Sequence, residues 1–167
     1  MGIIEGRIGG VIGGFDLRAE QSAQRISGRM GGLLRGGNVD LAIDGNAISG
    51  RLGGVVYGQS VELRSSEGLI TGRIGGGVIG RDVYLEQRGH KFVGRTGGPA
   101  IGFDCELDFD VLRGSLSGRL GGTVIGHSID LRVDGVQPIV AALLAVLTYH
   151  YYQFTSRSGG GSGANGK

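Results

Sequence analysis

The dipeptide Gly-Arg recurs six times along the chain, at Gly6-Arg7, Gly28-Arg29, Gly50-Arg51, Gly72-Arg73, Gly94-Arg95 and Gly118-Arg119, with a period of 22 residues and a last step of 24. One residue after each copy comes a Gly-Gly pair, from Gly9-Gly10 through Gly121-Gly122. A fixed period of this size means that one supersecondary unit is repeated and that neighbouring units bury one another's apolar faces. The unit reads as two strands. One half alternates apolar and polar residues: FDLRAE, VDLAID, VELRSS, VYLEQR, CELDFD and IDLRVD. In the second of these, Val39, Leu41 and Ile43 share one face, and Asp40, Ala42 and Asp44 share the other. A turn such as Asp44-Gly45-Asn46 or Glu67-Gly68 leads into the Gly-Arg strand, which puts Ile48, Gly50 and Leu52 on one face. Six units of two strands, joined by short turns, predict a twelve-stranded antiparallel meander.

The chain holds 38 Gly but only 2 Pro, so its glycine excess is neither collagen-like nor that of a proline-rich linker. Glycines at the ends of the Gly-Arg strands permit the bends of a strongly curved sheet. The glycine inside Gly-Arg points inward, where a missing side chain lets another backbone come close.

After Gly135 the pattern changes. Pro138 opens PIVAALLAVLTYHYYQF, and every residue from Ile139 to Leu147 is apolar. A helix with no polar face belongs inside a protein or inside a membrane. At about 1.5 Å per residue it is about 25 Å long, short for a membrane span. Closing twelve strands about 4.8 Å apart and tilted by about 40° gives a backbone radius of roughly 12 Å. Such a barrel is hollow alone and full with one helix about 10–12 Å across inside it. The expected fold is therefore mainly β: a barrel over residues 1–154 enclosing the helix 138–154, with a flexible Gly/Ser-rich tail over 155–167.

This layout, over residues 3–154 and most specifically in the run Pro138 to Phe154, resembles the tubby-like fold shared by LURP-one-related proteins and phospholipid scramblases. The resemblance implies a binding or scaffold module without enzymatic activity and with an affinity for phosphoinositides or other phospholipids. The alternative is a structural repeat protein, a β-solenoid or fibre subunit, with the helix as cap, assembly element or tail anchor.

Candidate chemistry is sparse. Arg7, Arg29, Arg51, Arg73, Arg95 and Arg119 form either a ring for anionic lipid headgroups or one half of a set of cross-strand ion pairs. Asp40, Glu62, Glu106 and Asp130, eleven residues after four of these arginines, with Asp16 nearby in the first unit, make pairing the simpler reading. Asp104, Glu106, Asp108 and Asp110 share one strand face, but alternate side chains nearly 7 Å apart do not curl around a cation. His90, His127 and His150 are scattered, and Cys105 on an apolar face reads as an inert thiol. Gly75-Gly76-Gly77 is followed by Val78 rather than the Lys-Ser or Lys-Thr of a phosphate loop. No catalytic residue, metal or cofactor is expected. A net charge of +2 gives no argument for nucleic acid. A single cysteine and an N-terminus without signal-peptide or myristoylation features point to the cytoplasm, and the tubby-like resemblance implies peripheral membrane contact there. A sheet that fails to close would also self-associate through its edges.

Overall fold

The alternating and Gly-Arg segments pair as expected. The computed structural model describes residues 1–9, 14–31, 36–54, 58–75, 80–122 and 126–158. The strands are β1 (Gly2–Ile8), β2 (Phe15–Gln21), β3 (Arg25–Gly31), β4 (Gly36–Asp44), β5 (Ala47–Leu52), β6 (Gln59–Ser66), β7 (Leu69–Gly75), β8 (Gly80–Arg88), β9 (Lys91–Gly97), β10 (Gly102–Asp110), β11 (Ser115–Gly121) and β12 (Gly126–Asp134). A single helix, α1 (Pro138–Ser158), follows. Each strand pairs antiparallel with the next, and β1 pairs with β12 to close the barrel. The two edges on which edge-to-edge assembly would depend are thus joined to each other. Stacked solenoid coils do not describe this sheet.

Followed once round the ring from Arg7, the registers return to β1 twelve residues away, so the shear equals the strand number. That ratio is the one found in eight-stranded α/β barrels, and it sets a tilt of about 36° and here a backbone radius of about 11 Å. It also means that residues one repeat apart sit at the same height. The barrel has approximate six-fold symmetry, broken by a longer turn (111–114) between β10 and β11 that accounts for the step of 24.

The glycines make this curvature feasible. The first glycine of each Gly-Gly pair (Gly9, Gly31, Gly53, Gly75, Gly97 and Gly121) has φ between 85° and 119°, a region closed to other residues. The glycines inside Gly-Arg form one inward layer at mid-height. Their hydrogens face the adjacent strand: a Cβ on Gly50 would overlap the Asp40 carbonyl and lie 2.8 Å from the Leu41 Cα. The close backbone is therefore that of the neighbouring strand, which coils in tightly because no side chain separates the two.

The helix fills the interior. Ala141 through Leu147 are at most 1% exposed, all round the helix. Each fully buried leucine or valine contributes about 1.5–3 kcal/mol. Thr148, the polar residue that follows this run on the helix, donates its hydroxyl to the Leu144 carbonyl at 2.7 Å. No helix of the described residues is long and apolar enough to cross a membrane. The helix runs to Ser158, four residues beyond the expected end, where the Thr155 hydroxyl donates back to the Tyr151 carbonyl at 3.0 Å. The rest of the tail (159–167), the second glycine of three of the pairs (Gly10, Gly32 and Gly76), and Gly77 and Val78 lie outside the described residues.

Two outcomes follow from this packing. Replacing Ala142 and Ala145 together with Arg buries two unpaired charges, a cost of several kcal/mol each, and abolishes the cooperative unfolding transition in circular dichroism. Gly50→Ala costs about 2 kcal/mol or more in chemical denaturation. Gly54→Ala, where a Cβ meets nothing within 4 Å, stays within about 0.5 kcal/mol of wild type.

Candidate functional site

The repeat places all six candidate arginines on the outer face of the odd strands, at one height, just before the Gly-Gly turns. They ring the end of the barrel at which α1 terminates. Successive members are two strands apart, about 10 Å along the wall.

The expected charge pairing exists, but its spacing differs. Across each Gly-Gly turn the register joins an arginine to the residue nine positions on, not eleven: Arg7 to Asp16, Arg73 to Asp82 and Arg95 to Asp104, at 2.8, 2.7 and 2.8 Å. At the same position Arg29 faces Asn38, Arg51 faces Ser60 and Arg119 faces Ser128. The carboxylates eleven residues on lie one pleat deeper, forming a belt below the rim. There they stand opposite the arginine of the next repeat, as Asp40 does Arg51 and Glu106 does Arg119. Asp40 is engaged by Arg25 through two hydrogen bonds of 2.9 and 2.7 Å. The tight turn sets this offset, because it makes the strands adjacent to it register two residues earlier than the repeat spacing suggests. Arg95 also caps its own turn, donating to the Gly98 carbonyl at 2.9 Å.

The acidic strand β10 is consumed locally. Asp104 pairs with Arg95, and Asp110 Oδ1 accepts the backbone N–H groups of Leu112 and Arg113 at 3.0 and 3.1 Å, tying the longer turn. Cys105 is on the inner face, and burial, with the nearby charges of Asp104 and Glu106, pushes its thiol up to about 12. A thiolate is suppressed there.

A second set of residues at this end escaped the sequence reading. The last inward position of the even strands is occupied by Phe15, Gly37, Gln59, Arg81, Phe103 and His127, all one repeat apart and all different in character from their neighbours. Each meets the end of α1. Phe15 packs edge-on against Tyr152, with ring centroids 5.0 Å apart, and Phe103 does so against Tyr149 at 4.7 Å. Gly37 leaves room for the Tyr151 ring, whose hydroxyl donates to the Gly36 carbonyl at 3.2 Å. Arg81 donates to Gln153 Oε1 at 2.9 Å, and His127 Nδ1 lies 3.4 Å from the Tyr149 hydroxyl. His150 Nε2 sits 2.7 Å from Gln59 Oε1, an acceptor, so the imidazole proton is on Nε2 and the buried Nδ1 keeps its lone pair without a partner among the described residues. Burial, assisted by the Arg81 charge, lowers the His150 pKa from 6.5 to about 4. Burial likewise raises those of Tyr149 and Tyr151. These groups are held neutral, and they fix the rotation of the helix inside an otherwise symmetric wall.

Because the folded-state pKa of His150 lies below its ordinary value, the unfolded chain takes up the proton first. This stability contribution is complete above about pH 7 and is lost as the pH falls from 6.5 toward 4. Urea titrations at pH 7.5 and 4.5 therefore show a loss of about 3 kcal/mol in wild type beyond that in His150→Gln. Parallel pH profiles for the two proteins would contradict the buried neutral imidazole. Comparison with protein-family models, curated proteins and solved structures finds no match for the chain.

Proposed function

We propose that this protein is a non-enzymatic, tubby-like binding or scaffold module that attaches peripherally, from the cytoplasm, to anionic phospholipid surfaces through the arginine-ringed end of its barrel. The observation that carries the reading is the placement of six arginines at one height around one end of the barrel. A planar anionic surface meets such a ring with several guanidinium groups at once, whereas a small soluble ligand spans one or two of them. Guanidinium forks suit phosphate oxygens, and each basic residue near an anionic bilayer contributes about 1 kcal/mol. The carboxylate belt lies farther from the rim than the arginines, and the aspartates that share the arginines' level, Asp16, Asp82 and Asp104, are each held in an ion pair. The tubby-like resemblance supports the same class of ligand. The ion pairs at Arg7, Arg73 and Arg95 hold those side chains upright along the wall, and exposed pairs of this kind exchange partners at little cost.

Arg29, Arg51 and Arg119, which face Asn38, Ser60 and Ser128 across the turn, are the members of the ring whose replacement leaves the three rim ion pairs intact. In flotation with phosphatidylcholine vesicles containing phosphatidylserine or a phosphoinositide, wild type binds and releases as salt is raised. Arg29→Gln, Arg51→Gln and Arg119→Gln combined weaken binding about 100-fold. Equal binding to vesicles of phosphatidylcholine alone, or no effect of the triple substitution, would overturn the proposal.

A further inference from the structure

The opposite end of the barrel, around the start of α1, has a different character. The helix does not run on the barrel axis: it packs closely against β9 to β12 and β1 to β3, and less closely against β4 to β8. At the arginine-ringed end the long side chains of Gln59 and Arg81 bridge the wider gap, reaching His150 and Gln153. Among the described residues, no such pair of long side chains is seen bridging it at the other end. There the inward position of the even strands carries Phe109 on β10 and Val133 on β12, which pack into the core on the near side; on the far side it carries Ile43 on β4, which packs against the core, but the small Ser65 on β6 and the exposed Gln87 on β8.

A cavity of about 440 Å³ lies there, bounded by the start of β1, the end of β2 and the turn after it, β4 to β7, and the first turn of α1 with the residues that lead into it. This falls within the usual range for small-molecule sites, about 300–1,000 Å³. Its apolar part is formed by Ile43, Ile48, Ile70, Ile139 and Val140. Its polar part is formed by Gln21, Ser22, Ser65 and Gln137, and no lining side chain is charged. Gln21 Oε1 is buried and has no hydrogen-bond partner among the described residues. An acceptor shielded from water without a donor costs about 1–3 kcal/mol, and a ligand hydroxyl or amide N–H toward which the Gln21 side chain turns removes that cost.

We propose that this cavity is a binding site for a small uncharged amphiphile, with an aliphatic body between α1 and the isoleucines of β4, β5 and β7 and a donor headgroup on Gln21 Oε1. A charged headgroup would meet no counter-charge among the lining side chains. The site is at the far end from the arginine ring, so it stands or falls independently of membrane attachment.

The test uses 1-octanol and octanoate as probes, the full-length protein, isothermal titration and the methyl signals of the isoleucines in a methyl-labelled sample. Octanol is expected to bind saturably and to shift Ile43, Ile48 and Ile70 while leaving Ile8 on the opposite wall unmoved; octanoate is expected to bind at least tenfold more weakly. Ser65→Phe, which installs on β6 the residue that β10 carries at the same height, is expected to weaken octanol binding at least tenfold with the unfolding transition retained. Ser65→Leu provides the same block with a smaller side chain should the phenylalanine variant fail to fold. Absence of saturable binding, tighter binding of octanoate than of octanol, or undiminished binding in a folded Ser65 variant would overturn the assignment.

Discussion

The burial of α1 against the inner wall is the contact on which the whole barrel depends. Twelve strands at this tilt enclose a space too wide for side chains from the wall to meet across it, so the sheet alone would leave its apolar face lining an empty or wet channel. The helix has the converse problem. Ile139 to Leu147 offer water nothing but hydrocarbon, and no orientation on a protein surface would hide them. Each element removes the other's exposed surface, and the dimensions agree because inward glycines let adjacent strands coil closely while keeping the mid-height layer thin.

A symmetric wall around an asymmetric filler raises a question of specificity. Six equivalent repeats would accept the helix in any of six rotations, and an apolar helix slides easily on an apolar wall. The chain resolves this at the end of α1, where one position per repeat abandons the common pattern. Phe15, Gly37, Gln59, Arg81, Phe103 and His127 bring five different side chains to that position, and each meets its own one or two of Tyr149, His150, Tyr151, Tyr152 and Gln153. Polar contacts with directional geometry act here as a key for register, in the way that single buried polar residues do in coiled coils.

The architecture was legible because repetition amplifies weak signals: one alternating hexapeptide such as VELRSS is an uncertain strand, but six in phase with six Gly-Arg segments leave few alternatives. The inward facing of Cys105 and of the Gly-Arg glycines followed from the same alternation. Hairpin register was not legible. It depends on how many residues the Gly-Gly turn consumes, so the eleven-residue recurrence of Asp40, Glu62, Glu106 and Asp130 hides the nine-residue offset at which Asp16, Asp82 and Asp104 meet their arginines. The end layer was legible in principle, since Gln59 and Arg81 interrupt an apolar face at a position where Phe15 and Phe103 continue it, but its meaning required the helix residues they meet. The off-centre course of α1, and with it the cavity beside Ser65, comes from packing differences summed over the whole interior and has no local signature.

The order of the elements along the chain has a consequence for assembly. Eleven of the twelve strand pairings join sequence neighbours, so hairpins can form as soon as both of their strands exist. Only the pairing of β1 with β12 spans nearly the full chain, and the helix that stabilises the closed ring comes after every strand. Until α1 is present the growing sheet is an open, curved ribbon with a bare apolar lining and two unpaired edges, the form most exposed to wrong partners. Ring closure and core filling are therefore one event that waits for α1, and the helix decides whether the two open edges find each other or a wrong partner.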